Sequence, residues 1–247
     1  MSAGKKFLVA NWKMNLLTAQ AEELAGKLVN SCGSLRHSEV WLAPAMLSIP
    51  AVAKSLKGSS LRLGSQNLHW EASGAFTGEI SPPMLSEFGG TFAILGHSER
   101  RHVFGETDDL VFRRALGALG SGITPLLCVG ETLLQREASQ TESVLEGQLS
   151  KLKELSSEQL ARVVIAYEPV WAIGTGKVAE LAQVEHAHKA IKRFMGRSET
   201  PVLYGGSVTP ENAAGILSLD SVNGCLVGGA SLSYEKFCAI IAASEAR

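Results

Sequence analysis

The chain has 247 residues, 45% hydrophobic and 19% charged, enough to bury a sizeable core in one large domain or two small ones. With 23 Lys and Arg against 24 Asp and Glu, the formal net charge of −1 gives no global attraction to nucleic acid or to an anionic membrane. The polar stretch from Met1 to Lys6, and the lack of any apolar run near about 18 residues, point away from a signal peptide or membrane span and toward a cytoplasmic protein.

Short apolar runs of strand composition recur along the chain, at residues 7–11, 40–43, 61–65, 92–95, 124–129, 163–167, 202–204 and 225–227. Between them lie helical patterns at 19–29, 110–119, 142–155, 184–195 and 234–243, with shorter ones near Ile49, Pro82 and Thr209. No linker, charge block or low-complexity segment interrupts the alternation, so residues 1–247 read as one domain. Eight strand–helix alternations favour closure into an eightfold β/α barrel. The alternative, an open doubly wound sheet, usually carries a glycine fingerprint after its first strand, and Ala10-Asn11-Trp12-Lys13-Met14-Asn15 has no glycine.

Cys32, Cys128, Cys225 and Cys238 form no C-x-x-C pair and no metal-ligand spacing, which suits free buried thiols. His186 and His188, two apart on a helical pattern, point in different directions and make a poor metal pair. The connection at residues 66–81 is far longer than the usual strand-to-helix loop. It carries Trp70 and Phe76, which a partner subunit would hide; the other reading is a loop folded back on its own barrel.

In a parallel barrel the carboxyl ends of the strands share one mouth, where ligands bind. Strand one ends at Asn11 with Lys13 two residues on. Strand four runs into Gly96-His97-Ser98-Glu99-Arg100-Arg101, and strand six ends at Glu168, where Pro169 disfavours a helical start. Singly, Lys13 reads as a solvated lysine, His97 as a packing or capping residue, Glu168 as a surface cap, and Glu99, Arg100 and Arg101 as partners for each other or for Glu106. At one mouth they supply a base, an imidazole, a fixed cation and an amide, the set that proton transfer beside a carbonyl requires.

Strands seven and eight end in Tyr204-Gly205-Gly206-Ser207-Val208 and Leu226-Val227-Gly228-Gly229-Ala230-Ser231. Either Gly-Gly alone is as well read as a tight turn, but glycine pairs after the last two strands suit backbone approach to a phosphate. Gly174-Thr175-Gly176-Lys177 is not a nucleotide P-loop, because Trp171 stands at the first glycine's place and Val178 follows the lysine. A mobile lid is the better reading of those two glycines.

Across nearly the whole chain these motifs, together with Gly74-Ala75-Phe76-Thr77-Gly78-Glu79-Ile80-Ser81 and the stretch 166–177, closely resemble the triosephosphate isomerase family. The resemblance implies interconversion of dihydroxyacetone phosphate and D-glyceraldehyde 3-phosphate through an enediolate, with no metal or organic cofactor. It implies Glu168 as the base, neutral His97 as the polarising and shuttling group, Lys13 as the charge stabiliser, Asn11 as an orienting amide and Glu99 as a support beside Lys13. The family is itself the standard worked case of a glutamate base, a neutral histidine and a water-excluding loop. The resemblance further implies Ser98 as the resting partner of Glu168, and Gly174, Ser207 and Gly229, with Gly228 adjacent, as the phosphate holders. It implies a homodimer in which the long loop inserts into the neighbour, Thr77 reaching the other active site over Met14.

Two departures stand out. Glu180-Leu181 replaces the Ser or Thr then Pro that opens the following helix in many relatives, a cap weaker by about 1 kcal/mol. Asn223-Gly224 stands where many have Asp-Gly. Rival readings are another sugar-phosphate barrel, such as an epimerase or Schiff-base aldolase, and an idle barrel kept for binding.

Overall fold

In the computed structural model, residues 4–32, 35–173 and 177–246 are described. Eight parallel strands close into a barrel: β1 (Lys6–Asn11), β2 (Ser38–Ala43), β3 (Arg62–Ser65), β4 (Gly90–Leu95), β5 (Thr124–Val129), β6 (Val164–Tyr167), β7 (Val202–Tyr204) and β8 (Gly224–Val227), with β8 pairing back on β1 from Phe7↔Gly224 to Ala10↔Val227. The helices are α1 (Thr18–Ser31), α2 (Ile49–Leu56), α3 (Pro82–Glu87), α4 (Ser98–His102), α5 (Asp108–Gly120), α6 (Leu133–Glu137), α7 (Thr141–Leu149), α8 (Ser157–Leu160), α9 (Leu181–Met195), α10 (Pro210–Leu217) and α11 (Tyr234–Glu245). Every strand falls where the apolar runs put it.

Alternation along the strands splits the core in two. Val9, Trp41, Phe92, Ile94, Leu126, Val164, Leu203 and Leu226 fill the barrel, while Leu8, Leu42, Leu95, Ile165 and Tyr204 face the helices. Strands buried on both faces need no polar alternation, which is why the sequence shows runs.

The helical pattern over 142–155 is not one continuous α-helix. α7 stops at Leu149 and a 3₁₀ turn, Ser150–Glu154, follows. The buried Leu149, Leu152 and Leu155 recur every three residues, the period of the tighter helix, and the Ser150 hydroxyl donates back to the Gly147 carbonyl at 2.7 Å. α4, α6 and α8 are too short for periodicity to reveal. Two of them carry the cap signature that marks a start, Thr132 with Gln135 and Ser156 with Gln159. At α9 the weak cap is compensated: the Gln183 side chain accepts from the Glu180 backbone N–H at 3.0 Å.

The long loop after β3 is tied to its own barrel at its base and exposed at its tip. Arg114 of α5, buried, donates to the Leu68 carbonyl at 2.7 Å and to both oxygens of Glu79 at 2.9 and 3.1 Å, and lies 3.4 Å from Glu106. His69 stacks on Trp70 and lies tilted against Phe76, whose ring meets Trp70 edge-on, and Arg113 lies over the Trp70 ring at 3.9 Å. Residues 71–78 are nonetheless exposed.

His188 of α9 is fully buried against Tyr167, its Nδ1 3.3 Å from the Ser221 carbonyl. Burial pushes its pKa down to about 3. In the unfolded chain the ring takes a proton below about 6.5. Stability is therefore intact above that pH and lost as pH falls toward 3. Urea titrations at pH 7 and pH 5 are expected to differ by about 2 kcal/mol from this group, a difference that a His188→Gln variant lacks.

The four cysteines are free, three of them buried. Among the described residues no helix is long and apolar enough to cross a membrane, and no cluster of three or more His, Cys, Asp or Glu has a metal-binding arrangement.

Candidate active site

The carboxyl ends of β1, β4, β6, β7 and β8 surround a cleft of about 390 Å³ lined by Asn11, Lys13, His97, Glu168, Ser207, Gly228 and Gly229. Sequence order scatters these residues over more than two hundred positions. Barrel closure gathers them.

Glu168 follows β6 directly and is 2% exposed. Its backbone N–H donates to the Val129 carbonyl at 2.7 Å, and Oε2 accepts from the Ser98 backbone N–H at 2.8 Å. Oε1 lies 3.0 Å from His97 Nε2 but off the line a hydrogen bond needs, so this buried oxygen has no hydrogen-bond partner among the described residues. One oxygen anchors the carboxylate and the other faces the cleft unclaimed.

His97 leaves β4 through Gly96, whose φ of 66° turns the chain into α4. As the α4 N-cap it accepts the Glu99 backbone N–H on Nδ1 at 3.2 Å. Glu99 Oε2, at 3.5 Å, is farther from that nitrogen. A ring nitrogen that accepts an N–H carries no proton, so in the neutral ring the hydrogen sits on Nε2, aimed at the cleft.

Lys13 adopts φ 51°, a conformation that costs a non-glycine residue about 1–3 kcal/mol. Two bonds hold it: its N–H donates to Asn11 Oδ1 at 3.1 Å, and Gln66 Nε2 donates to its carbonyl at 2.8 Å. The twist sends the side chain across the mouth, where Nζ meets Glu99 Oε1 at 2.6 Å and Cε would sit 3.3 Å from a Cβ on Gly228. Glu99 thus pairs with Lys13. Arg100 instead reaches Glu106 at 2.7 Å, and Arg101 reaches Asp108 at 2.5 Å.

A family profile described as Triosephosphate isomerase matches residues 6–244. The chain belongs to the triosephosphate isomerase family. Relatives bearing that name include those of Bdellovibrio bacteriovorus, 45% identical over 239 residues (96% of this chain, 98% of the relative), Rhodopirellula baltica, 44% over 249 residues (97% and 98%), and Clostridium botulinum, 44% over 242 residues (95% and 97%).

Of the residues that the likeness to triosephosphate isomerases singled out, the cleft brings together Asn11, Lys13, His97, Glu168, Ser207, Gly228 and Gly229, and Glu99 joins through Lys13. Gly174 lies outside the described residues. Met14 is 96% exposed, and it lines a second cleft of about 300 Å³ with Met46, Asn67 and Phe104 that shares Asn11, Lys13 and His97 with the first. Thr77 is exposed at the tip of the long loop.

Four residues have roles that sequence reasoning did not give them. Gln66 holds the Lys13 twist. Gly130 and Gly205 press on Glu168, a Cβ at the former falling 1.7 Å from the Glu168 carbonyl oxygen and one at the latter 2.9 Å from its Cγ. Glu131, fully buried, accepts from Tyr167 Oη at 3.1 Å, from Trp171 Nε1 at 3.0 Å and from Arg136 at 3.2 Å, while Arg136 also covers the Trp171 ring. It pins the residues that lead into 174–176. A buried acid just beyond β5 was a legible signal; the glycines' close approaches were not.

Proposed function

We propose that this chain interconverts dihydroxyacetone phosphate and D-glyceraldehyde 3-phosphate, with Glu168 carrying the proton between the two carbons. The unpartnered Oε1 of Glu168, 3.0 Å from Nε2 of His97, carries the reading: base and electrophile are close enough to serve one three-carbon molecule. His97 Nε2–H polarises the carbonyl and moves protons between the two oxygens of the enediolate. Lys13 stabilises the charge that develops there, and Asn11 orients the substrate.

Backbone N–H groups of Ser207 and Gly229, with Gly228 leaving room for Lys13, hold the phosphate at the far end. Gly174 and its neighbours complete that hold as a lid that keeps water from the enediolate, which would otherwise expel phosphate. A coupled assay with glyceraldehyde 3-phosphate tests the whole. Turnover with solvent-proton exchange into product is the expected result; binding without exchange would make the barrel an idle one.

The active form is a homodimer in the cytoplasm. The neighbour's loop tip, Thr77 included, occupies the cleft beside Met14, Met46 and Phe104, which are 96%, 47% and 70% exposed in the single chain and too large a patch to leave in water. Asn67 Oδ1, buried there without a partner among the described residues, offers an acceptor to that tip. Light scattering at micromolar concentration is expected to give twice the chain mass; a monomer would overturn the assignment.

A further inference from the structure

The phosphate end of the cleft carries two charged side chains that the proton transfer does not use. Glu211 and Lys236 both line it beside Ser207, Gly228 and Gly229, and both are exposed. Lys236 stands in the first turn of α11, which Ser233 caps by accepting the Lys236 backbone N–H at 3.3 Å. A cation there faces the positive end of the helix dipole, so the helix itself gains nothing from it. Its ammonium is in no ion pair within 4.0 Å among the described residues. The Thr209 hydroxyl, and more weakly the field of Lys236, hold the Glu211 carboxyl below its usual pKa.

The substrate's phosphate arrives largely as a dianion. It must approach Glu168 and Glu211, while Lys13 is already engaged by Glu99. Without Lys236 those three carboxylates would face it with a single, half-neutralised cation.

We propose that Lys236 is a specificity-determining residue for the phosphate, an outer cation that draws the dianion toward Gly228 and Gly229, with Glu211 as the opposing charge across the same wall. This rests on the isomerase reading. The side chain acts on capture, remote from the carbon chemistry, and through a field that salt screens over about 10 Å at 0.1 M.

The test compares Lys236→Gln, Lys236→Arg and Glu211→Gln in initial-rate assays at low and high salt, with inorganic phosphate as competing ligand. Lys236→Gln is expected to raise KM and the phosphate inhibition constant about three- to tenfold at low salt, with kcat within about twofold and the gap closing at high salt. Lys236→Arg keeps wild-type values, and Glu211→Gln lowers KM. The Lys236→Gln melting temperature stays level or rises, as removal of a cation from a helix N-terminus requires. Unchanged KM and salt slope, or a fall in kcat together with melting temperature, would overturn the role of Lys236. Inactive wild-type protein would instead sink the isomerase reading, and calorimetric phosphate binding to the same variants would still decide on Lys236.

Discussion

Glu168→Gln is expected to lower kcat about 10²–10⁴-fold with little change in KM, the range that a positioned general base supplies. The amide has the carboxylate's shape, so the oxygen that accepts from Ser98 keeps its partner. The cost falls on the other end. There the NH₂ group faces the Nε2–H of His97 at about the present 3.0 Å, donor against donor, and has no lone pair of useful basicity. Substrate binding is expected to survive, because the proposed phosphate holders Ser207 and Gly229 lie elsewhere in the cleft. Steady-state kinetics together with the rate of deuterium uptake from solvent will report it, and a variant within tenfold of wild type in both would remove Glu168 from the chemistry.

Gly130→Ala should be nearly as damaging, from a residue that touches no substrate. The added Cβ would sit 1.7 Å from the Glu168 carbonyl oxygen and 2.6 Å from its carbonyl carbon. Gly130 has no room to retreat: its N–H donates to Gln148 at 2.8 Å and its carbonyl accepts from the same side chain at 3.1 Å. The end of β6 has to move by an ångström or more, and a displacement of that size at the proposed base is expected to cost about 10²-fold in kcat. Overpacking adds about 1–3 kcal/mol of destabilisation. Gly229→Ala, whose Cβ meets nothing within 4 Å, serves as the control for fold stability. Wild-type kcat in folded Gly130→Ala would mean that the strand end is softer than its bonds suggest.

The residues that lead into 174–176 are positioned from a distance as well. Glu131 gathers Tyr167, Trp171 and Arg136 onto one buried carboxylate, so residues 167–171 leave β6 in a single conformation before the chain reaches 174–176. Desolvating a carboxylate is expensive unless donors surround it, and here three do.

Much of this protein is written locally. Strands buried on both faces must be continuous apolar runs, so all eight could be read within a residue or two, and β5 and β7 to the residue. The polar groups at the carboxyl ends of β1, β4 and β6 were equally legible, because parallel strands place those ends at one mouth whatever the helices do. What sequence could not give was distance. That Lys13 takes φ 51° to reach Glu99, that Gln66 holds it there, and that Gly130 and Gly205 clamp Glu168 all depend on atoms remote in sequence meeting once the barrel closes. The 3₁₀ turn after α7 was hidden because three-residue leucine spacing also occurs on one face of an α-helix, so the spacing alone did not mark the change of helix type. Periodicity and strand ends are properties of a segment, set by backbone geometry alone; approach, strain and orphaned oxygens are properties of closure, and only the packed barrel decides them.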